Sequence, residues 1–77
     1  MKPAAKLRKR SVTIAGHRTS VSLEADFWDA LADIADSQKR PVAALISEID
    51  RRSGRESSLS SAIRSFVLAH FRQKSGR

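Results

Sequence analysis

Apolar residues recur along this chain at two different periods, and the change of period divides it into a strand region followed by three helices. Between Ser11 and Leu23 the composition is Ser, Thr, Val and Ile with Gly16 in the middle, which suits a pleated, half-buried surface. Val12 and Ile14 share one parity; Thr19, Val21 and Leu23 share the other. A continuous strand keeps all five on one face only if a bulge near Ala15-Gly16 shifts the register. A hairpin turning at Ala15-Gly16 is the competing solution, ranked lower because Ala-Gly lacks the Asn or Asp that favours a type I′ turn. The stronger strand is Arg18 to Leu23.

From Glu24 the period lengthens. Phe27, Trp28, Leu31, Ile34 and Ala35 make one apolar stripe, with Asp29, Asp33 and Asp36 on the opposite side, so the spacing predicts an acidic-faced amphipathic helix of about 13 residues. Pro41 suits a helix start and opposes continuing one from before it. Val42, Leu45, Ile46 and Ile49 then stand at i, i+3, i+4 and i+7, a second helix ending near Arg51-Arg52 and closed by Gly54. Ser57-Ser58 offers a cap for a third helix carrying Leu59, Ile63, Phe66, Val67 and His70 on one side. Ala62, Leu68, Ala69 and Phe71 widen that stripe, which implies burial from more than one direction. Phe66, Val67 and Phe71 are expected to enlarge a dimer core, with a partner-binding surface as the alternative.

Charge sharpens this outline. The 77 residues carry a formal +7, of which +6 lies in residues 1–22, where six cations meet no acid; residues 23–77 nearly balance. Residues 1–10 contain Pro3 and almost no large apolar group, so they read as a flexible basic arm, with 11–72 as the folded domain and 73–77 as a basic tail. With 40% apolar residues the chain is too hydrophobic to be a disordered tail. A domain this small buries only about 60% of its unfolded surface, so self-association is expected. The absence of cysteine removes disulfides, thiolate chemistry and cysteine-based metal sites. No apolar run approaches a membrane span, and the basic N-terminal stretch has no apolar segment behind it, so the expected compartment is the cytoplasm, at the nucleoid.

The functional argument starts from hydrogen bonding. A single strand over Arg18 to Leu23 has no ladder within its own chain, so another chain must supply one. The same strand from a second copy, antiparallel across a two-fold axis, gives a two-stranded ribbon. Val21 and Leu23 would face the helices, and alternation then turns Arg18, Ser20 and Ser22 outward. Such a ribbon fits the major groove of B-DNA; arginine suits the guanine O6 and N7 pair, and serine hydroxyls bond to any base. Phosphates would be held by Lys6, Arg8, Lys9 and Arg10 of the arm, by Lys39 and Arg40, and by backbone N–H groups at Val42 and Ala43.

The order Arg18-Thr19-Ser20-Val21-Ser22-Leu23, then Glu24-Ala25-Asp26-Phe27-Trp28-Asp29-Ala30-Leu31, then Val42-Ala43-Ala44-Leu45-Ile46-Ser47-Glu48-Ile49, resembles the ribbon-helix-helix DNA-binding proteins of the Arc and MetJ type. It also looks like a small bacterial subfamily in which a strand leads into a Phe-Trp helix and a Leu-Ser-Ser-Ala-Ile-Arg segment follows, here Leu59 to Arg64. The resemblance implies a mainly α fold with one short strand per chain, an intertwined homodimer with an intersubunit ribbon, and an extra C-terminal helix. It implies alternate strand residues reading bases (Arg18, Ser20, Ser22) and a phosphate anchor near Val42 and Ala43. The expected dimer core is Val21, Leu23, Phe27, Trp28, Leu31, Ile34, Leu45, Ile46, Ile49, Ile63, Phe66 and Val67. A typical member has Gly between the helices and Ser or Thr capping the second; Lys39-Arg40-Pro41 departs from both.

The expected function is therefore sequence-specific binding of double-stranded DNA by a homodimer that can associate further on DNA, in a bacterial or phage transcriptional repressor. Catalysis is not expected: His17 and His70 are the only histidines, and no nucleophile-base pair or Gly-rich phosphate loop can be assembled. No cofactor, metal or small-molecule ligand is implied. His17 reads as a strand residue, His70 as a core-edge side chain, and Phe27 and Trp28 as core rather than stacking platforms. Two alternatives are an antitoxin, whose C-terminal segment would block a toxin, and a basic membrane-surface or partner-binding module. Few cations on the third helix's polar face oppose the membrane reading.

Overall fold

A computed structural model describes residues 6–54 and 58–74. Two antiparallel strands, β1 (Leu7–Ile14) and β2 (His17–Glu24), lead into three helices, α1 (Ala25–Ser37), α2 (Val42–Ser53) and α3 (Leu59–Lys74). The two-stranded ribbon and the added C-terminal helix are as expected. The source of the second strand is not: β2 pairs with β1 of its own chain, in register from Leu7 opposite Glu24 to Ile14 opposite His17. The missing ladder that called for a partner strand is thus supplied internally, and there are two strands per chain.

The turn explains why. Ala15 and Gly16 both have positive φ, 53° and 83°, as a primed two-residue hairpin turn requires. A two-residue turn places even-numbered residues before it and odd-numbered residues after it on one face. Ile14 therefore joins Val21 and Leu23 in the core, with Val12 and Thr19 half-buried beside them, and no bulge is needed. Holding Ala15 left-handed costs about 1 kcal/mol. Burying Ile14 contributes roughly 2 kcal/mol, and the ladder adds to it. Packing outweighs the turn's missing Asn.

Part of the expected arm over residues 1–10 falls within β1. Leu7 to Arg10 are strand, and the ladder reaches Lys6, whose carbonyl accepts from the Ala25 N–H at 3.1 Å. The remainder of that arm, residues 1–5, lies outside the described residues, as do 55–57 with the proposed cap Ser57, and 75–77 of the tail. Gln73 and Lys74 belong to α3 rather than to a tail.

Trp28, Leu31, Ile34 and Ala35 of α1, Leu45, Ile46 and Ile49 of α2, and Ile63 and Val67 of α3 close over the inner face of the hairpin. Apart from Ala35, these residues, with Val21 and Leu23, belong to the expected dimer core. They are buried within one chain, while Phe27 and Phe66 pack at the edge of the cluster. Phe71, expected in the same core, is 42% exposed. The hairpin closes one side of this cluster through Ile14, Val21 and Leu23.

Two caps set the helix positions. The Ser58 hydroxyl accepts from the Ser61 N–H at 3.1 Å at the start of α3. At the end of α1 the N–H of Lys39 bonds to Asp36 O and that of Arg40 to Ala35 O, both at 3.0 Å, with Lys39 left-handed at φ 57°. This is the Schellman arrangement, in which glycine is the usual left-handed residue. Lys39→Gly should therefore raise stability by about 1 kcal/mol in urea unfolding. No gain, or a loss, would mean that the lysine stem makes an offsetting contribution.

Candidate nucleic-acid interface

Alternation across the paired strands gives the outward face of the hairpin three consecutive cross-strand pairs: Lys9 with Ser22, Ser11 with Ser20, and Thr13 with Arg18. Lys9, Ser11, Thr13, Arg18 and Ser20 are exposed and Ser22 is half-buried. Arg18, Ser20 and Ser22, singled out from sequence, share that face. Ser11 and Thr13 were not singled out, and Lys9 had been placed in the arm. The signal for all three was the parity switch at Ala15-Gly16, which becomes informative only once the turn is known to span two residues.

The other two cations of β1 point to the helix side of the strand. The Arg10 guanidinium lies 4.9 Å from the centroid of the Trp28 ring, and the Trp28 Nε1–H donates to the Arg8 carbonyl at 2.9 Å. Trp28 thus pins β1 to α1, so Arg8 and Arg10 are parts of a held strand rather than of a loose arm.

Glu24 sits at the end of the outward face, where a bare carboxylate would repel a polyanion. Arg64 of α3 meets it with two bonds, Nε to Oε1 at 2.9 Å and Nη2 to Oε2 at 3.2 Å. The Ser60 hydroxyl donates to the Ser22 carbonyl at 2.9 Å, so the first turns of α3 lock the outer edge of β2. The hydrogen bonds from Arg64 hold the Glu24 carboxyl below its ordinary range.

At the other candidate phosphate site the structure separates the expected residues. Arg40 is turned along α2: its Nη1 meets Glu48 Oε1 at 2.6 Å and Gln38 Oε1 at 3.3 Å, and its Nη2 donates to the Ala44 carbonyl at 3.1 Å. Its guanidinium is thus engaged within the protein in this structure. Lys39 is exposed. The first helical bonds of α2 come from the Ala44 and Leu45 N–H groups to the Pro41 carbonyl, so those of Val42 and Ala43 stand ahead of the ladder. Pro41 makes no side-chain cap.

The Glu48 carboxyl is likewise held low, chiefly by its hydrogen bond from Arg40 and then by that guanidinium's charge. Both carboxyls bind protons less readily folded than unfolded. Their contribution is present above the ordinary value of 4.5 and is lost as pH falls through their lowered folded values. Urea midpoints should drop as pH is lowered below about 4.5, and less steeply in a Glu24→Gln, Glu48→Gln double variant. Identical pH profiles for the two proteins would contradict this assignment.

A short antiparallel ribbon followed by helices, with a polar and basic outer face on the ribbon, defines a class of DNA-binding architecture. The sequence pattern of the ribbon-helix-helix domain matches residues 7–71, and the chain belongs to that family. No curated protein and no solved structure matches it. Family membership makes this a chain of the DNA-binding regulator type. Among the described residues no helix is long and apolar enough to cross a membrane.

Proposed function

We propose that the protein binds duplex DNA sequence-specifically, as a homodimeric transcriptional repressor that lays the outward face of its ribbon in the major groove. The observation that carries this reading is the gathering of Arg18, Ser20 and Ser22 on one solvent-facing side of a paired strand. A two-stranded ribbon matches the groove in width, and arginine and serine match its donor and acceptor pattern. Affinity comes mainly from phosphate contacts, for which Lys6, Arg8, Lys9, Arg10, Lys39 and the free N–H groups of Val42 and Ala43 are the candidates. A dimer accords with the family's usual mode and doubles the number of phosphate contacts. The role is one of binding and requires no cofactor.

Selection of bound sequences from random duplex DNA tests the proposal, together with sedimentation of the protein free and on the selected site. A defined motif and two chains per site are expected. Uniform retention of all sequences, or binding to single strands in preference to duplex, would refute it.

A further inference from the structure

We infer that Arg64 is a positioning residue for DNA binding: acting through Glu24, it neutralises the only acid of the two strands and makes the added helix α3 part of the DNA-binding apparatus. The inference rests on the duplex-binding reading above and goes beyond it, because it assigns a role to a residue outside the ribbon that touches neither base nor phosphate. The clamp is made within one chain, so each β2 of a dimer carries its own.

Glu24 has a reason of its own to be acidic. It is the residue before α1, where negative charge favours the unpaired N–H groups of a helix start. The same position puts a carboxylate at the end of a face whose other charged residues, Lys9 and Arg18, are cations. Left bare, it would repel phosphate. It would also draw in Lys9, the cation diagonal to it across the ribbon, since Lys9 stands opposite Ser22 and Glu24 opposite Leu7.

Arg64 is placed to prevent both. Its Nε and Nη2 meet the two carboxylate oxygens at 2.9 and 3.2 Å, a two-pronged geometry that lysine cannot reproduce. Ser60, four residues earlier on the same side of α3, donates to the Ser22 carbonyl at 2.9 Å and so fixes the helix to the strand beside the carboxylate. The guanidinium carbon also lies 6.0 Å from the centre of the Phe27 ring, a further contact that orients it. The Arg64 and Glu24 side chains are 35% and 33% exposed, so the pair is near enough to solvent for a change in its charge to be felt by bound DNA.

The test is a set of full-chain variants titrated at fixed salt on the duplex selected by the wild type, each with a thermal melt. Arg64→Gln should weaken binding roughly 3- to 10-fold, the effect of one uncompensated charge near phosphate. Glu24→Gln combined with Arg64→Gln also lacks the clamp but leaves no bare acid, and should return affinity to within about twofold of the wild type. Arg72→Gln makes the same change of net charge in the exposed last turn of α3 and should lose less than about twofold. A double variant as weak as Arg64→Gln would overturn the inference, making Arg64 a phosphate contact or a structural brace. An Arg72→Gln loss equal to that of Arg64→Gln would overturn it in favour of net charge alone, and undiminished binding by Arg64→Gln would overturn it outright. All three results leave duplex recognition by the wild type intact, whereas a wild type that selects no motif overturns the parent reading as well.

Discussion

Arg18→Ala is expected to weaken binding to the preferred duplex by about 1 to 3 kcal/mol and to relax discrimination at a single base position. The side chain is exposed on the outward face of β2, opposite Thr13, so its removal leaves the core and the ladder in place. A bidentate contact to guanine is lost on the preferred sequence only, and the variants at that position, which never made it, should bind almost as before. Anisotropy titrations on the preferred duplex and its three substitutions at each position read this directly, with a thermal melt as the folding control. A loss of the same size on every duplex would assign Arg18 to the phosphate backbone and sink base reading at this residue.

Trp28→Ala should cost about 3 to 5 kcal/mol of folding stability. A domain of this length has roughly 4 to 12 kcal/mol to lose, so the variant stands near or beyond the edge of folding. The indole is 4% exposed, packs within the central cluster, donates to the Arg8 carbonyl and lies under the Arg10 guanidinium. Its removal leaves a cavity and releases β1 from α1 together. Trp28→Phe keeps most of the buried ring but loses the N–H donor, and should cost about 1 kcal/mol. Urea unfolding followed by circular dichroism measures both. A loss below about 1 kcal/mol for the alanine variant would mean that β1 is held by its ladder alone.

The helices were legible in the sequence because their apolar spacing is regular and their ends carry strong signals. Leu45, Ile46 and Ile49 are buried as the i, i+3, i+4, i+7 pattern of α2 requires, and the four aspartates of α1 at 26, 29, 33 and 36 are exposed. The outward orientation of Arg18, Ser20 and Ser22 was equally readable, since it follows from the burial of Val21 and Leu23. The strand's partner was not. Local turn chemistry at Ala15-Gly16 argued against a hairpin, and only the packing of Ile14 against residues distant in sequence overrides it. Nor could spacing tell which of the six N-terminal-third cations lie outward, because that depends on register. The engagement of Arg40 by Glu48 was missed for a similar reason: an arginine beside a helix start looks the same in sequence whether it faces a phosphate or reaches back to a carboxylate eight residues on.

A two-stranded ladder closed within one polypeptide has a consequence for how the fold responds to dilution. A face assembled from two molecules exists only above the dissociation threshold, and at low copy number its amount falls with the square of the total. The Leu7–Ile14 and His17–Glu24 pair is made within one molecule, so its ladder should persist on dilution in every folded copy.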